Sequence, residues 1–283
     1  MIPQHLETPD LEHRGIAPPR RPRILAIANQ KGGVGKTTTA VNLATAMAAC
    51  GKEVLLVDLD PQGNASTGLG LHPEQRRRNV YQVLIGEMPL ADGVLETDIP
   101  GLSILPADAD LSGAELELID IPQREYLLRQ ALAGDTSYDY ILIDCPPALG
   151  LLTLNALVAA AAVLVPLQAE FYALEGLSHL LRTVRRVKRA FNGPLEIQGI
   201  VLTMFDRRNN LCDMVAKDVR EHMGNFVYET VIPRNVRVSE APSHGKPVLL
   251  YDVGCAGSQA YIHLAREILR REHQHGHTPA LVV

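Results

Sequence analysis

One glycine-rich stretch decides the fold of this chain: Asn29-Gln30-Lys31-Gly32-Gly33-Val34-Gly35-Lys36-Thr37-Thr38-Thr39. An apolar run at 23–28 precedes it, and an alanine-rich segment at 40–48 follows it. A strand, a glycine-rich loop and a helix in this order let backbone N–H groups converge on an anion, and the positive end of the helix adds to the attraction. The stretch therefore predicts a phosphate-binding loop.

Two side chains of this loop have the chemistry that a bound nucleotide needs. Lys36 is placed to reach the β- and γ-phosphates, and the hydroxyl of Thr37 is placed to ligate Mg²⁺. The standard pattern has glycine at position 30, where this chain has Gln30, and the loop carries an additional lysine, Lys31. A surface turn before a helix is the alternative for a short glycine motif, but the flanking strand and helix favour the phosphate loop.

The composition indicates a soluble protein with an aliphatic core. Of 283 residues, 46% are hydrophobic and 21% are charged, while tryptophan is absent and aromatic residues make up 4%. No apolar segment reaches the ~20 residues that a helix needs to cross a bilayer, and residues 1–22 lack the apolar centre of a secretory signal. The 4 cysteines lie far apart, which favours reduced thiols in a cytoplasmic protein.

Apolar runs alternate with helical segments along the chain. Strands are predicted at 23–28, 53–58, 102–106, 140–144, 162–167, 199–203 and 227–232. Helices are predicted at 37–50, 123–132, 174–190, 211–223 and 258–272. Most of the strand runs are continuously apolar, as in parallel strands that are covered on both faces. The pattern predicts a doubly wound, mostly parallel α/β sheet flanked by helices, with ligands at the carboxyl ends of its strands.

The sequence predicts one domain at 23–272. A flexible extension is predicted at 1–22, where proline, arginine and histidine occur without periodicity, and a flexible tail is predicted at 273–283. The polar stretch 71–101 is expected to form an irregular excursion from the domain.

Carboxylates follow two of the predicted strands. Asp144 ends the strand at 140–144, at the position of a Walker B aspartate, which holds the Mg²⁺ shell. Asp58 and Asp60 follow the second strand, and alternation places them on one side of an extended segment. Pro61 keeps Asp60 out of a helix. This segment is suited to orient water and to sense the γ-phosphate as a switch loop, although an Asx-type turn explains the same residues.

Six strings together resemble the ParA/Soj family of chromosome- and plasmid-partitioning ATPases, within the wider group that includes MinD. They are ANQKGGVGKTT at 28–38, VDLDPQGN at 57–64, IDCPP at 143–147, TMFD at 203–206, IPRNVR at 232–237 and EAPSHGKP at 240–247. The first string marks the deviant Walker A superfamily, and the last two point to the ParA branch. The resemblance extends from about residue 23 to about residue 271, and it implies a P-loop NTPase fold.

The resemblance implies an Mg²⁺-dependent enzyme that hydrolyses ATP to ADP and phosphate. Lys31 matches the lysine that reaches across a dimer interface to the partner's nucleotide, which implies a homodimer that forms on ATP. The implied catalytic residues are Lys31, Lys36, Asp60 and Asp144. The implied nucleotide-binding residues are Gln30, Lys31, Gly32, Gly33, Val34, Gly35, Lys36, Thr37, Thr38, Thr203, Met204, Pro233 and Asn235. Of these, the resemblance implies that the last four belong to segments that enclose the adenine. The implied metal ligands are Thr37, Asp60 and Asp144.

The resemblance also implies that the dimer binds double-stranded DNA without sequence preference. The implied DNA-contacting residues are Arg208, Arg237 and Lys246. Contacts to phosphate make such binding salt-sensitive, and a formal net charge of -5 leaves room for a local basic patch. The basic residues at 182–189 are interpreted as a solvated helix face. A ParB-like centromere-binding partner is expected to stimulate hydrolysis and so release the protein from the nucleoid.

Three other classes of protein share some of these sequence features. A MinD-like membrane-cycling positioning ATPase needs a lipid-binding C-terminal helix, and the helix at 261–270 is amphipathic, but its apolar stripe is expected to pack on the core. A reductase resembling nitrogenase iron protein needs cysteines from two subunits at one cluster, and only Cys145 lies beside the Walker B position. A scaffold without activity is disfavoured by the complete set of lysines and carboxylates.

Overall fold

The computed structural model describes residues 21–134 and 137–275, the side chains of residues 115 and 275 excepted. The predicted extension at 1–22 and the predicted tail at 273–283 therefore lie largely outside the described residues. Within these ranges the chain forms an 8-stranded sheet in the order β3-β4-β2-β5-β1-β6-β7-β8. The strands are β1 (Arg23–Ile27), β2 (Val54–Asp58), β3 (Leu95–Glu96), β4 (Leu102–Leu105), β5 (Tyr140–Asp144), β6 (Ala162–Gln168), β7 (Glu196–Phe205) and β8 (Val227–Pro233).

Helices cover both faces of this sheet. They are α1 (Lys36–Ala49), α2 (Asn64–Gly68), α3 (Val80–Leu84), α4 (Leu90–Gly93), α5 (Leu111–Glu117), α6 (Leu127–Ala131), α7 (Leu151–Ala159), α8 (Ala173–Ala190), α9 (Asn210–Met223), α10 (Val236–Glu240), α11 (Val248–Tyr251) and α12 (Ala256–His275). Short 3-10 turns lie at 73–75, 118–120, 124–126, 224–226 and 241–244. Among the described strands, only β3 runs antiparallel to its neighbour. The predicted fold class is confirmed.

Alternation along the central strand divides the interior into two cores. In β1, Leu25 and Ile27 belong to the core beneath α1 and α12, whereas Ala26 belongs to the core beneath α7 and α8. All three side chains are fully buried. Continuous apolar runs are therefore required because each central strand contributes side chains to both cores.

The helix α12 uses its apolar side for packing within the chain. Tyr261, Leu264 and Ile268 are buried and face the core that α1 and β8 share. The expectation that this stripe packs on the core is confirmed. Among the described residues, no helix combines the length and apolar character that crossing a bilayer requires.

The fold differs from the sequence prediction in several places, since the short helices α2, α5, α10 and α11 were not predicted. The stretch 71–101 was expected to be irregular, but it contains α3, α4 and β3, and Val80, Val83 and Leu84 are buried in the core. The helix α7 was not predicted, because its apolar residues continue without a polar break into β6. The break is made by Asn192, whose side-chain amide donates to the carbonyl of Leu157 at 2.9 Å and to that of Ala160 at 2.7 Å.

Candidate nucleotide-binding site

The predicted phosphate loop lies at the carboxyl end of β1 and leads directly into α1. Gly35 is the residue before the helix, and its φ of 84° lies in the left-handed region that favours glycine. Gly33 has a φ of 73°. The two glycines turn the backbone so that the loop curls over the amino end of a helix of 14 residues. This arrangement provides an anion-binding helix start, as the sequence predicted.

Contacts with two neighbouring strands hold this loop in place. The side-chain amide of Asn29 donates to the carbonyl of Pro166 in β6 at 2.7 Å, and its oxygen accepts from the backbone N–H of Lys31 at 3.1 Å. At the other end of the loop, the hydroxyl of Thr203 in β7 donates to the carbonyl of Val34 at 2.8 Å. The loop is therefore fixed by side chains that lie far away in sequence.

The two lysines of the loop point in different directions. Lys36 is 7% exposed, and its Nζ donates to the carbonyl of Lys31 at 3.1 Å. Burial lowers the pKa of Lys36, and the charge of Asp144 opposes that shift. The side chain of Lys31 is 45% exposed, and its Nζ contacts the carboxylate of Glu170. One lysine thus faces the buried carboxylates, and the other lies at the surface.

Two carboxylates end neighbouring strands at the same level. Asp58 in β2 pairs in register with Asp144 in β5, and both side chains are fully buried. Burial raises the pKa of Asp58 to about 6. Burial and, after it, the charge of Asp58 raise the pKa of Asp144 well above its usual range, while nearby Thr37 and Lys36 oppose that rise.

The environment of Asp144 fits a bound cation. Among the described residues, no donor completes a well-formed hydrogen bond with either carboxylate oxygen, although the Thr37 hydroxyl lies close enough to lower the pKa of Asp144, so two buried acceptors remain to be satisfied. No cluster of three or more His, Cys, Asp or Glu side chains in the described ranges is arranged to hold a metal by protein groups alone. Mg²⁺ is commonly held by one or two protein groups together with substrate phosphates. Thr37 and Asp144 are suited to that arrangement.

The segment after β2 forms two successive Asx-type contacts. The N–H of Asp60 donates to Oδ1 of Asp58 at 3.3 Å, and the N–H of Gln62 donates to Oδ1 of Asp60 at 3.0 Å. The turn that was the alternative explanation of these residues is therefore present. Asp60 nevertheless lies near Lys36, and its charge offsets part of the lowering of the Lys36 pKa that burial causes. It is close to the predicted site and 7% exposed.

Two sets of contacts beside this segment were not predicted from the sequence. Asp58 accepts the N–H of Ser66 at 2.8 Å and its hydroxyl at 2.7 Å, which anchors the start of α2. Arg76, 7% exposed, donates to the carbonyl of Gly63 at 3.1 Å and to the hydroxyl of Thr67 at 2.7 Å. Arg76 belongs to a run of three arginines in the predicted excursion, and nothing in the run distinguishes the buried one.

The predicted adenine-binding residues lie at the carboxyl ends of β7 and β8. Met204 has a φ of 50°, which is uncommon for a residue other than glycine, and its side chain lies over Gly35. Pro233 pairs with Phe205 in register. The side chain of Asn235 caps α10 by accepting the N–H of Arg237 at 2.8 Å. Thr203 and Met204 adjoin the phosphate loop, and contact of any of the four residues with a base stays a prediction.

The predicted DNA-contacting side chains are exposed, and two of them are paired with carboxylates. Arg208 lies 2.9 Å from Asp206, and its hydrogen bonds lower the pKa of that carboxyl to about 2. Arg237 lies 3.1 Å from Glu240 and 3.5 Å from Asp252. Lys246 is exposed. The structure places all three outside the core, and DNA contact stays a prediction.

Comparisons with known proteins agree with this geometry. The family model of the AAA domain matches residues 22–197. The chromosome partitioning protein ParA of Caulobacter vibrioides strain NA1000 / CB15N is 64% identical over 253 residues, which cover 88% of this chain and 95% of that protein. The sporulation initiation inhibitor protein Soj of Bacillus subtilis strain 168 is 52% identical over 247 residues, which cover 87% of this chain and 98% of that protein.

Solved structures share the fold over nearly the whole chain. Cobyrinic acid a,c-diamide synthase from Mycobacterium smegmatis, solved with a bound ATP analogue and magnesium, has a TM-score of 0.77 and 38% identity, covering 93% of this chain and 100% of that one. The cell division ATPase MinD of Pyrococcus furiosus has a TM-score of 0.73 and 29% identity, covering 88% of this chain and 98% of that one. Together with the phosphate loop and its buried carboxylates, the relatives show that this chain belongs to the ParA/Soj family of chromosome-partitioning ATPases.

Proposed function

We propose that this protein uses ATP to switch between a DNA-bound dimer and a free subunit during DNA segregation. The main support for the proposal is that the two lysines of the loop lie in different environments. Lys36 is buried and faces the carboxylates, whereas Lys31 lies at the surface, where its Nζ contacts Glu170 of the same chain. The ParA and Soj relatives support the partitioning role.

The chemistry is the attack of water on the γ-phosphate of ATP. The water oxygen bonds to phosphorus, the bond to the bridging oxygen breaks, and ADP and phosphate are released. Lys36 and the backbone N–H groups of the loop bind the phosphates and stabilise the charge that develops on them. Asp60 orients the water and accepts its proton. Thr37 and Asp144 would hold Mg²⁺, which supplies further neutralisation of the phosphate charge.

The proposed dimer places two nucleotides against each other. Their phosphates bring negative charge into the dimer interface, and Lys31 from each subunit offsets the charge of the partner's nucleotide. Because ADP lacks the γ-phosphate, the dimer is less stable with ADP than with ATP. The bound nucleotide therefore determines whether the protein is a monomer or a dimer.

The proposed dimer then binds duplex DNA through phosphate contacts from Arg208, Arg237 and Lys246. Two copies of the patch double the number of contacts, so dimerisation raises the affinity without any new base contact. The protein is expected in the cytoplasm on the nucleoid. A ParB-like centromere-binding protein stimulates hydrolysis and so releases it.

Fluorescence anisotropy of a labelled duplex of arbitrary sequence tests this proposal. The wild-type protein should bind with a nonhydrolysable ATP analogue and magnesium, and should bind weakly with ADP. Lys31→Ala should bind weakly with either nucleotide, whereas Lys52→Ala, which removes a lysine from the segment between α1 and β2, should behave as the wild type. Equal binding with both nucleotides would contradict the proposal.

A further inference from the structure

A groove outside the nucleotide site separates α8 from α7 and the 3-10 turn at 124–126. Its volume is about 880 Å³. Leu154, Leu157, Val187 and Phe191 give it an apolar floor. At its edges lie Ile119 and Leu149, 53% and 44% exposed, and these are among the exposed large hydrophobic side chains of the described chain. Exposed apolar side chains around an apolar groove are typical of a binding surface.

Positive charge surrounds this apolar floor. Arg124, Arg186 and Arg189 line the groove, against one carboxylate, that of Glu125. Glu125 lies 3.9 Å from Arg124, so its charge is already matched. Arg186 and Arg189 are exposed, and neither forms an ion pair with any described residue. The groove therefore has an excess of positive charge carried by two arginines of α8.

The placement of these two arginines follows from helical spacing. Residues three apart lie on one side of a helix, and Val187 and Ala190 lie beside them in the lining of the groove. Lys188, on the same helix, is exposed but does not line the groove. The basic run at 182–189, interpreted from sequence as a solvated face, thus contains two residues that border an apolar surface and others that do not.

We propose that this groove binds an acidic amphipathic helix of a partner protein. The apolar side of such a helix covers the floor formed by Leu154, Leu157 and Val187, which is the helix-in-groove mode of recognition. Its carboxylates pair with Arg186 and Arg189, because guanidinium groups bind carboxylates through two parallel hydrogen bonds. The exposed side chains of Ile119 and Leu149 close over its edges.

Two other anionic partners fit the same surface less well. Duplex DNA presents phosphates but no apolar side that would cover the floor, and DNA interfaces are more polar than protein interfaces. An anionic membrane is broad and flat, whereas this apolar surface is concave and lies between two helices. The combination of an apolar floor and a rim of arginines favours a helix with one apolar face and one acidic face.

The groove also touches the chain segment that follows the Walker B aspartate. Leu149 and Gly150 line it, and they lie between Asp144 and α7. An occupant is therefore placed to influence the position of Asp144. An effect on ATP turnover rests on the proposed function, but binding of the helix does not.

A designed peptide tests the proposal on the full chain. The probe is a fluorescein-labelled helix of about four turns with leucines at i, i+3, i+4 and i+7 and glutamates elsewhere. The control probe has lysine at every glutamate position. The glutamate peptide should bind at physiological salt and the lysine peptide should not. Arg186→Glu combined with Arg189→Glu should weaken binding about tenfold or more, whereas Lys188→Glu should change it less than about twofold.

Several results would overturn the proposal. These are absence of binding by the glutamate peptide, equal binding of the two peptides, and an equal loss in Lys188→Glu. Displacement of the peptide by duplex DNA, or by vesicles of anionic phospholipid, together with loss of direct DNA or vesicle binding in the double variant, would assign the arginines to those partners instead. If the double glutamate variant does not fold, Arg186→Gln with Arg189→Gln gives the same test with a smaller expected loss.

Discussion

The Nζ atom of Lys31 contacts the carboxylate of Glu170 in the same chain, across 139 positions of sequence. The side chains are 45% and 30% exposed, so the pair lies at the surface. The lysine that the family resemblance assigns to a partner's nucleotide is therefore already bound to a carboxylate of its own subunit. A dimer that uses Lys31 as proposed must exchange this carboxylate for phosphate.

Replacement of Glu170 by Gln should tighten the ATP-dependent dimer. An exposed ion pair is worth about 0.2–1 kcal/mol, and two copies are broken when the dimer forms. The dimer dissociation constant should therefore fall by roughly 2- to 30-fold. Sedimentation velocity with a nonhydrolysable ATP analogue and magnesium measures this change.

Glu175→Gln is the matched control for this prediction. Glu175 lies in the first turn of α8 and is exposed, so its replacement should leave the dissociation constant unchanged. An unchanged or weaker dimer in Glu170→Gln would show that the contact does not compete with dimerisation.

Replacement of Asp60 should separate its chemistry from its role in the turn. Asp60→Ala should lose about 100-fold or more in turnover and retain ATP binding, because the group that orients water is removed. Asp60→Asn keeps an oxygen for the N–H of Gln62 but has no carboxylate. A steady-state phosphate-release assay should find Asn as inactive as Ala, and an active Asp60→Asn would assign this side chain to the turn alone.

Opposite changes of charge around Arg237 should change DNA affinity in opposite directions. Arg237→Glu should weaken binding. It should also make the decrease of log affinity with log salt concentration less steep, because each phosphate contact that is lost removes about 0.9 from the magnitude of the slope. Glu240→Gln removes a carboxylate that lies 3.1 Å from Arg237 and should strengthen binding. Nucleotide binding should be unaffected in both variants.

Anisotropy titrations at several salt concentrations check the DNA prediction, with Arg129→Glu on α6 as the control for net charge. Arg129 is exposed and lies on α6, which packs against α7 and α3. If Arg129→Glu weakens binding as much as Arg237→Glu does, the effect is one of total charge, and the assignment of Arg237 to the DNA surface is wrong.

Replacement of Glu267 should destabilise the packing of α12 on β8. Burial opposes ionisation of Glu267, but the N–H groups of Thr230 and Glu229 and the charge of Arg271 outweigh it and lower the pKa of its carboxyl. Its two oxygens accept those N–H groups at 3.0 and 2.9 Å. Glu267→Gln turns an NH₂ group toward one of them, and should lower the free energy of unfolding by about 1–3 kcal/mol.

The stabilisation by Glu267 should depend on pH in a defined direction. Because its folded pKa is depressed, the contribution is present above the unfolded pKa near 4.5 and is lost as the pH falls through the folded value. The difference between wild type and Glu267→Gln in thermal or urea unfolding should therefore shrink in acid. Glu221→Gln, an exposed change on α9, serves as control. A difference that is constant from pH 7 to below the folded pKa would contradict this explanation.

Local patterns were sufficient to predict the centre of the fold. The apolar strands at 140–144 and 162–167, the phosphate loop and the switch segment each carry their information within a few neighbouring residues. Parallel strands end at one edge of the sheet, so the meeting of Asp144 with the loop also followed from the sequence pattern.

Features that depend on distant contacts were not predictable in the same way. The end of α7 depends on Asn192, which reaches back 35 positions to Leu157. The two-residue strand β3 is too short to produce a periodic signal. The burial of Arg76, one arginine in a run of three, depends on the carbonyl of Gly63 and on the turn at 73–75. Each of these three features depends on tertiary packing, and the local sequence carries no signal that would predict it.

The mass of the protein in solution tests the central claim most directly. Light scattering after size exclusion, with saturating nonhydrolysable ATP analogue and magnesium, should give about twice the subunit mass of 30.9 kDa. With ADP, or with Lys31→Ala and the analogue, it should give the mass of one subunit. A single subunit under saturating analogue and magnesium would contradict the account.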